Sequence, residues 1–250
     1  MRHKLNLDLA SLDRFTLLVH GGPSVGKTHL VGDMLATYKE GGQKVRFLNI
    51  KGEDGYATIA GMGLGEIAET VENIKDFEEA IGEYKKEGLA ALGIDGGPVF
   101  YRHIMQSIAG DRLPRVGGNS NEWGEIHFKG TQLLTDLHYV APVVVMTALT
   151  DLSMDQITGE TKRTPDFPGR MAAGIAGLFD FVFYMETTIT GPASLKRTLF
   201  LQPILKTVIR ARSPRALSPS IDLPVGRGGW TLLYNALQKA YEPLTQEVKK

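Results

Sequence analysis

The chain has 250 residues, 42% of them hydrophobic, which is enough to bury a substantial core in one large or two small domains. Its 28 basic and 28 acidic residues balance, which excludes the global electrostatic field that marks many nucleic-acid and membrane binders. The sequence contains no cysteine, which excludes disulfides and thiolate metal sites. With no recognisable signal peptide or long apolar run, we expect a cytoplasmic protein without a membrane partner.

Apolar segments of strand length recur along the first three quarters of the chain. They lie at residues 15–19, 45–50, 90–94, 143–146 and 179–185. Between most of them the apolar residues repeat every three to four positions, as on an amphipathic helix. This alternation predicts an α/β fold with a mostly parallel central sheet and helices on both faces.

The pattern is less regular outside these five segments. Residues 67–87 contain one amphipathic helix, and residues 197–201 and 205–209 are predicted as strands of a terminal hairpin or edge pair. A last helix is predicted over 230–241. No repeat or linker divides the sequence, so we expect an N-terminal arm and one domain. The arm comprises residues 1–13 and the domain residues 14–250.

A glycine-rich motif follows the first predicted strand and precedes a helical segment. It fits the pattern G-x-x-x-x-G-K-[ST], and its residues are Gly21, Gly22, Pro23, Ser24, Val25, Gly26, Lys27 and Thr28. Backbone N–H groups of such a turn, together with the helix N-terminus, form a cradle for nucleotide phosphates. The motif and the next residue, His29, are therefore predicted to bind ATP. Lys27 would reach the β- and γ-phosphates, and the Thr28 hydroxyl would bind Mg²⁺.

Acidic residues follow the second and third predicted strands. Asp95 ends an apolar segment and precedes two glycines, which suits a Mg²⁺ ligand, although a lone Asp there is also a common turn residue. Glu53 follows the second strand and is a candidate for the group that polarises the attacking water. Asp54, the next residue, is the alternative candidate for this role. The alternative without a catalytic role is that Glu53 is an ordinary solvated loop acid.

Two long segments do not fit the alternation, and both are predicted to be functional loops. They are residues 111–124 and 151–170. Their cations would contact DNA phosphates and Trp123 would stack on an unpaired base, unless Trp123 fills the core and the cations are ordinary surface. The candidate DNA-binding residues are Arg112, Arg115, Trp123, Lys162, Arg163 and Arg170.

The order of these motifs resembles the core of the RecA-like recombinase ATPases of the P-loop NTPase superfamily. The similarity spans residues 14–215 and is greatest to short phage-encoded RecA-like proteins with a phage nucleotide-binding AAA domain. The resemblance implies a RecA-like fold, ATP and Mg²⁺ as cofactors, and location in the host cytoplasm. It also implies that Glu53 is the catalytic base and that both long loops line the path of single-stranded DNA.

The same resemblance implies roles for two further cations, and the sequence differs from RecA at one position. Arg210 and Arg212 would contact the γ-phosphate held by a neighbouring subunit, in a head-to-tail ring or filament. The alternative is a basic edge strand that resists aggregation. Thr147 stands where RecA carries a glutamine that senses the γ-phosphate, so coupling between ATP and the second DNA loop is expected to differ.

These expectations combine into an ATPase that binds single-stranded DNA and promotes annealing or homologous recombination, with a single-strand binding protein as a further candidate partner. The alternative is a hexameric motor or loader acting on DNA or protein. A small-molecule kinase fits less well, because the strand before Glu53 lies between the glycine loop and Asp95. An ATP-gated scaffold, with Glu53 only structural, is the non-enzymatic alternative.

Overall fold

A computed structural model describes residues 12–117, 120–154, 159–168, 171–191 and 194–242. Most of the proposed N-terminal arm and Arg170 lie outside the described residues. The strands are β1 (Phe15–Gly21), β2 (Val45–Ile50), β3 (Ala68–Val71), β4 (Ala91–Asp95), β5 (Val116–Gly117), β6 (Ser120–Asn121), β7 (Val143–Met154), β8 (Thr161–Pro165), β9 (Phe181–Gly191), β10 (Ser194–Phe200), β11 (Lys206–Thr207), β12 (Arg210–Ala211) and β13 (Ser220–Leu223). The α-helices are α1 (Lys27–Glu40), α2 (Gly55–Gly61), α3 (Ile74–Glu87), α4 (Gly97–Ala109), α5 (Glu122–Asp136), α6 (Met171–Gly174) and α7 (Gly229–Tyr241).

The central sheet has the order β13-β10-β9-β1-β7-β4-β2-β3. The strands from β9 to β3 in this order run parallel to one another. At one edge of the sheet, β10 runs antiparallel to both of its neighbours, β9 and β13. This arrangement confirms the predicted α/β fold with a mostly parallel sheet and C-terminal edge strands. Parallel strands place their carboxyl ends along a common edge, where sites in open α/β sheets are built.

Both faces of the sheet are covered, because side chains of successive strand residues point to opposite faces. On β1, Leu17 and Val19 pack in a core with α1 and α7. Leu18 belongs to the core on the other face, with α3, α4 and α5. All three are fully buried. The α1 face and the α3–α5 face therefore sandwich β1.

The sequence analysis did not predict the edge strand β3. β3 has four residues of which only Val71 is buried, so it lacks the apolar run of the interior strands. The helix expected within 67–87 starts only at Ile74, where the Asn73 side chain accepts hydrogen bonds from the N–H groups of Lys75 and Asp76. Asn73 is an N-cap of the favoured type.

The prediction that residues 205–209 pair with residues 197–201 is wrong. β10 pairs instead with β9 and β13, and only two residues of the other segment form a strand, β11, which pairs with β8. The local pattern could not reveal this, since β13, the second partner of β10, lies beyond an intervening Pro-containing segment.

The described parts of both long segments contain strands or helical residues. β7 continues to Met154 and pairs antiparallel with β8, while α5 begins at Glu122, so Trp123 lies in its first turn. Gly21, the last residue of β1, pairs with Leu149 and Met185, so β7 and β9 continue beyond the sheet's carboxyl edge. We call residues 150–154 and 161–165 the β7–β8 arm. Residues 186–191 and 194–198 are the β9–β10 arm.

Candidate functional site

The glycine-rich turn lies at the carboxyl edge of the sheet, between β1 and α1. A Cβ atom on Gly21 would lie 2.2 Å from the Met185 carbonyl oxygen, so only glycine permits this approach of β1 to β9. Gly26 has φ of 100° and Ser24 has φ of 57°, both in the left-handed region. Such conformations concentrate at ligand-binding loops. The turn therefore has the backbone form that an anion-binding cradle requires.

Lys27 is buried against this turn. Its Nζ donates hydrogen bonds to the carbonyl oxygens of Gly21 at 3.1 Å and Gly22 at 2.6 Å. Burial lowers the pKa of Lys27, and the nearby carboxylates of Asp95 and Glu53 partly oppose that shift. The ammonium group is thus held within the loop by two carbonyl oxygens, which phosphate oxygens can replace.

Asp95 connects the glycine loop to two neighbouring elements. The Thr28 hydroxyl donates to Asp95 Oδ2 at 2.9 Å, and the Thr147 hydroxyl donates to Asp95 Oδ1. The Gly96 N–H donates in turn to Thr147 Oγ1 at 3.4 Å. Asp95 is 5% exposed, so these bonds fix the orientation of a carboxylate that is largely removed from water. Thr147, expected only to stand in place of a sensor glutamine, thus orients Asp95.

The Thr28 hydroxyl and Asp95 carboxylate are hard oxygen ligands of the type that Mg²⁺ prefers. A Cβ atom on Gly55 would lie 1.8 Å from Asp95 Oδ2, so the backbone at the start of α2 closes one side of this carboxylate. In the described part of the chain, no group of three or more histidine or acidic side chains could hold a metal. Mg²⁺ usually keeps several waters and binds one or two side chains plus phosphates, so Thr28 and Asp95 fit it.

Glu53 lies beside Asp95. A Cβ atom on Gly96 would lie 2.6 Å from Glu53 Cγ, and the Glu53 carbonyl accepts a hydrogen bond from Asn49 Nδ2 at 3.2 Å. Burial raises the pKa of the half-buried Glu53, and the charge of Asp95 adds to this effect, while Lys27 and Arg102 oppose it. Asp54 is exposed at the start of α2. The geometry therefore brings Glu53, not Asp54, to the buried carboxylate.

Two residues near this edge were missed by the sequence analysis. Arg102 lies on α4, the helix that follows Asp95, and its charge lowers the pKa of Glu53. Arg197 lies on β10, and its Cζ would be 3.2 Å from a Cβ atom on Gly26. Neither residue belongs to a sequence motif, and the position of Arg197 depends on the β9–β10 register.

His20 is a third missed residue, directly before the glycine loop. Its Nε2 is 2.8 Å from the Val208 carbonyl oxygen, which can only accept, so Nε2 carries the proton. The Nδ1 atom then accepts from the Thr150 hydroxyl at 3.0 Å. Burial lowers the pKa of His20 to about 4, against a weaker opposing effect of the Val208 bond. Neutral His20 thus joins β1 to the β7–β8 arm.

Arg210 and Arg212 lie away from Lys27 within this chain. The β12 register places Arg210 opposite Val182, which pairs with Leu18, three residues before Gly21. Arg210 Nη1 donates to the Ala176 carbonyl at 2.7 Å. Arg212 Nη1 donates to Asp180 Oδ1 at 3.1 Å, and its Nη2 donates to the Gly177 carbonyl at 3.0 Å. The chain therefore does not bring either arginine to its own glycine loop.

The first candidate DNA segment is joined to the start of α5. Arg112 forms a bidentate ion pair with Glu122 at 2.7 and 2.5 Å, and the Arg115 backbone N–H also donates to Glu122. The Arg112 bond and the Arg115 N–H lower the pKa of Glu122 to about 2. Trp123 is half-buried and is not one of the core residues. The Arg112 charge is thus already paired within the chain.

Ion pairs between α3 and α5 show where that segment lies. Lys129 contacts Glu78 at 3.1 Å, and Lys85 contacts Asp136 at 3.3 Å. The two helices therefore run parallel, and α3 begins at the carboxyl edge after β3. The start of α5, with Trp123, accordingly lies on the side of the glycine loop.

The second candidate segment is the β7–β8 arm. Lys162 pairs in register with Ser153 and is exposed, whereas Arg163 places its guanidinium carbon 6.0 Å from the Tyr184 ring centroid. Such a distance is at the limit of a cation–π contact. Both cations lie beyond the end of β1, on the side of the glycine loop.

Comparison with known proteins identifies one family. A protein-family model described as an AAA domain matches residues 13–213, which is most of the chain. No curated protein matches the sequence. Among the described residues, no helix has the length and apolar character needed to cross a membrane.

Proposed function

The chain belongs to the AAA domain family, and on that premise we propose that it hydrolyses Mg²⁺-bound ATP and uses this cycle on single-stranded DNA, promoting annealing or homologous recombination. An AAA domain of the P-loop type indicates a nucleotide-binding ATPase. The DNA partner, the recombination role, a phage source and the assembly are our inference.

One observation carries the ATPase part of the proposal: four chemically suited side chains converge at the carboxyl edge. Lys27 lies in the loop, Thr28 bonds to Asp95, and Glu53 lies beside Asp95. Bound Mg²⁺ would neutralise phosphate charge and orient the triphosphate. Lys27 would exchange its bonds to carbonyl oxygens for bonds to phosphate oxygens. Thr28 and Asp95 would hold the metal ion.

Glu53 supplies the remaining function, that of a base for the attacking water. Its raised pKa makes it a better proton acceptor than an ordinary glutamate. The water oxygen would bond to the γ-phosphorus as the bond to the bridging oxygen of ADP breaks, and the water proton would pass to Glu53. Asp54 is exposed to solvent, whereas Glu53 is half-buried beside Asp95, and this difference favours Glu53.

We propose head-to-tail assembly, in which Arg210 and Arg212 of one subunit reach the nucleotide of the next. Arg212 is half exposed, which leaves its guanidinium accessible from outside the chain. Both arginines would have to exchange bonds to carbonyl and carboxylate oxygens of their own chain for the partner's phosphate. Turnover would therefore depend on assembly.

The DNA part of the proposal is supported by the position of cations around the carboxyl edge. Lys162 and Arg163 lie on the β7–β8 arm, while Arg115 and Trp123 lie near the start of α5. Cations bind the backbone of single-stranded DNA, and aromatic rings stack on its bases. DNA bound there would lie close to the nucleotide, which gives a short route for coupling.

A second candidate function, a motor or loader acting on protein, is favoured by a separate observation. The β7–β8 and β9–β10 arms expose large apolar side chains: Leu152, Met154, Ile189 and Leu195 are 54–77% exposed. Grouped exposed apolar residues are typical of protein contacts. This candidate uses the same ATP site and differs only in what stimulates it.

The test is the ATP hydrolysis rate with and without single-stranded DNA. DNA-stimulated hydrolysis supports the recombinase, and stimulation by a protein but not by DNA supports the motor or loader. Nucleotide binding without turnover would show an ATP-gated scaffold and contradict both proposals. Negative-stain images of rings or filaments with ATP would support assembly, and a monomer at all concentrations would contradict it.

A further inference from the structure

Asn49 is a polar residue in a row of apolar ones. It lies on β2, an interior strand between β4 and β3. Val45 and Phe47, four and two positions earlier, point to the same face of the sheet and belong to the core beside α1. Asn49 continues this row with an amide and is only 4% exposed. Since burying an amide costs stability unless it is hydrogen-bonded, its bonds indicate what it does.

The two ends of the Asn49 amide are treated differently. The Nδ2 atom donates to the Glu53 carbonyl oxygen at 3.2 Å and, at a longer 3.5 Å, to Thr70 Oγ1. Because a carbonyl oxygen can only accept, the nitrogen end of the amide must face Glu53. The Oδ1 atom is buried and has no hydrogen-bond partner among the described residues. A leucine of similar shape would avoid burying that acceptor, so asparagine is not the most stabilising residue for this position.

Glu53 is held at three points. Its N–H donates to the Ile50 carbonyl oxygen at 3.0 Å, across a turn in which Gly52 has φ of 107°. Its own carbonyl accepts from Asn49, and its Cγ packs where a Cβ atom on Gly96 would lie 2.6 Å away. Both backbone polar groups of Glu53 are therefore bonded. Of the two backbone bonds, only the one from Asn49 comes from a side chain that a substitution can remove.

The rest of this loop faces solvent. Lys51, Gly52 and Asp54 are exposed, and glycine has the most conformational freedom of any residue. A catalytic base must lie within hydrogen-bond reach of the water that it deprotonates. A displacement of about 1 Å in such a group can lower the rate about 10²-fold. A bond that fixes the loop at Glu53 therefore matters more for turnover than for the stability of the fold.

We propose that Asn49 is a positioning residue for the catalytic base: its buried amide holds the Glu53 carbonyl and thereby keeps the Glu53 side chain beside Asp95. This inference rests on the proposed ATP hydrolysis and deepens it, because it adds a residue that no motif marks. Asn49 acts through Glu53 and is not itself a ligand of the nucleotide. At this position the chain gives up core stability to keep the base in place.

Asn49→Leu tests the proposal, because leucine has a similar shape and makes no hydrogen bonds. We expect turnover, measured by phosphate release, to fall about tenfold to hundredfold, with the calorimetric ATP affinity within about threefold of wild type. The urea midpoint should equal or exceed that of wild type, since leucine extends the apolar row. Without nucleotide, amide hydrogen exchange in residues 51–54 should be about tenfold faster. A purely structural asparagine would instead lower the midpoint and leave the turnover of the folded protein unchanged.

A double-mutant cycle with Glu53→Gln shows whether Asn49 acts through the base. In the Glu53→Gln protein, adding Asn49→Leu should change the residual turnover by no more than about twofold, because the group that Asn49 positions is already gone. Thr70→Val is the matched control, since it removes the longer bond of the same amide and leaves the bond to Glu53. Its turnover should stay within about twofold of wild type.

Asn49→Ser is the second variant, should the leucine variant not fold. Its hydroxyl is too short to reach the Glu53 carbonyl, and we expect a similar loss of turnover. Unchanged turnover in the folded variants, or a further loss of about tenfold in the Glu53→Gln background, would overturn the role of Asn49 while hydrolysis stands. A folded wild type that binds ATP without turnover would overturn the proposed function, and this inference with it.

Discussion

The glycine loop and the β7–β8 arm lie at the same edge of the sheet but are built differently. Around the loop, Lys27 and Asp95 are buried and hydrogen-bonded, and Gly21 fits against β9 with no space for a methyl group. On the arm, residues 151–154, 161 and 162 are exposed. Buried, fixed groups suit chemistry on a small ligand, whereas an exposed strand pair suits an extended partner.

This contrast predicts that substitutions at the loop change catalysis steeply and that substitutions on the arm change partner binding gradually. Glu53→Gln should have the largest effect, because it removes the proton acceptor but keeps the side-chain shape. We expect turnover to fall about 10²–10⁴-fold with nucleotide binding retained, as measured by phosphate release and calorimetry. Asp54→Asn is the matched control, and a fully active Glu53→Gln protein would remove the assignment.

The wild-type pH profile sharpens the same point. Burial and Asp95 raise the pKa of Glu53, so its carboxylate gains a proton at a higher pH than an ordinary glutamate would. The hydrolysis rate should therefore decline on the acid side above the usual glutamate range. The Glu53→Gln protein should lack this acid limb in its residual rate.

Lys27→Ala should have the next largest effect. Losing the buried ammonium group should reduce turnover about 10²–10³-fold and weaken triphosphate binding. Lys39→Ala, on the exposed end of the same helix, is the control and should leave both unchanged. Equal activities of the two variants would contradict the role of the loop lysine.

His20 should affect stability more than chemistry. Its pKa is about 4 in the folded chain against 6.5 when unfolded. As pH falls from 6.5 to 4, the unfolded chain binds a proton that the folded chain excludes, so the free energy of unfolding should drop by up to about 3 kcal/mol. Urea unfolding of wild type and His20→Gln at pH 7 and pH 4.5 checks this. Identical pH dependence in both proteins would refute it.

Thr147→Val should act on the metal ion. The valine keeps the shape but loses the hydroxyl that orients Asp95, so the Mg²⁺ concentration that half-activates hydrolysis should rise about 10–100-fold. Thr37→Val is the control, because its hydroxyl donates only within α1. An unchanged Mg²⁺ requirement would mean that Thr28 alone fixes the carboxylate.

The smallest expected effect is on the arm. Exchanging Lys162 and Arg163 together for alanine should reduce the salt dependence of single-stranded DNA binding by a slope of about 1.4 in log–log form. The control exchanges Lys85 and Lys129, which removes the same charge from the α3–α5 face. Equal slopes in the two double variants would place the DNA path elsewhere.

The sequence predicted the parts of this molecule that depend on neighbouring residues. The apolar run before Gly21, the loop itself and Asp95 each carry a local pattern, and the predicted fold is confirmed. β3 was missed because only Val71 of its four residues is buried. The β7–β8 arm was predicted as a loop because strands that leave the sheet lose the apolar run that marks interior strands.

Such local patterns do not reveal contacts between residues that are far apart in the sequence. His20 and Val208 are 188 residues apart, and their hydrogen bond depends on how the segment after β10 crosses the sheet. Arg197 reaches Gly26 only through the β9–β10 register. Motifs therefore predict where phosphates would bind, while the side chains around that place required the three-dimensional structure.

The central claim is that the glycine loop, with Thr28 and Asp95, holds a Mg²⁺-bound triphosphate. Calorimetric titration of the wild-type protein with ATP, with and without millimolar Mg²⁺, tests it most directly. We predict saturable binding that is tighter with Mg²⁺ and is lost in Lys27→Ala. Absence of binding heat in both conditions across several temperatures, from a protein that is folded by circular dichroism, would contradict the claim.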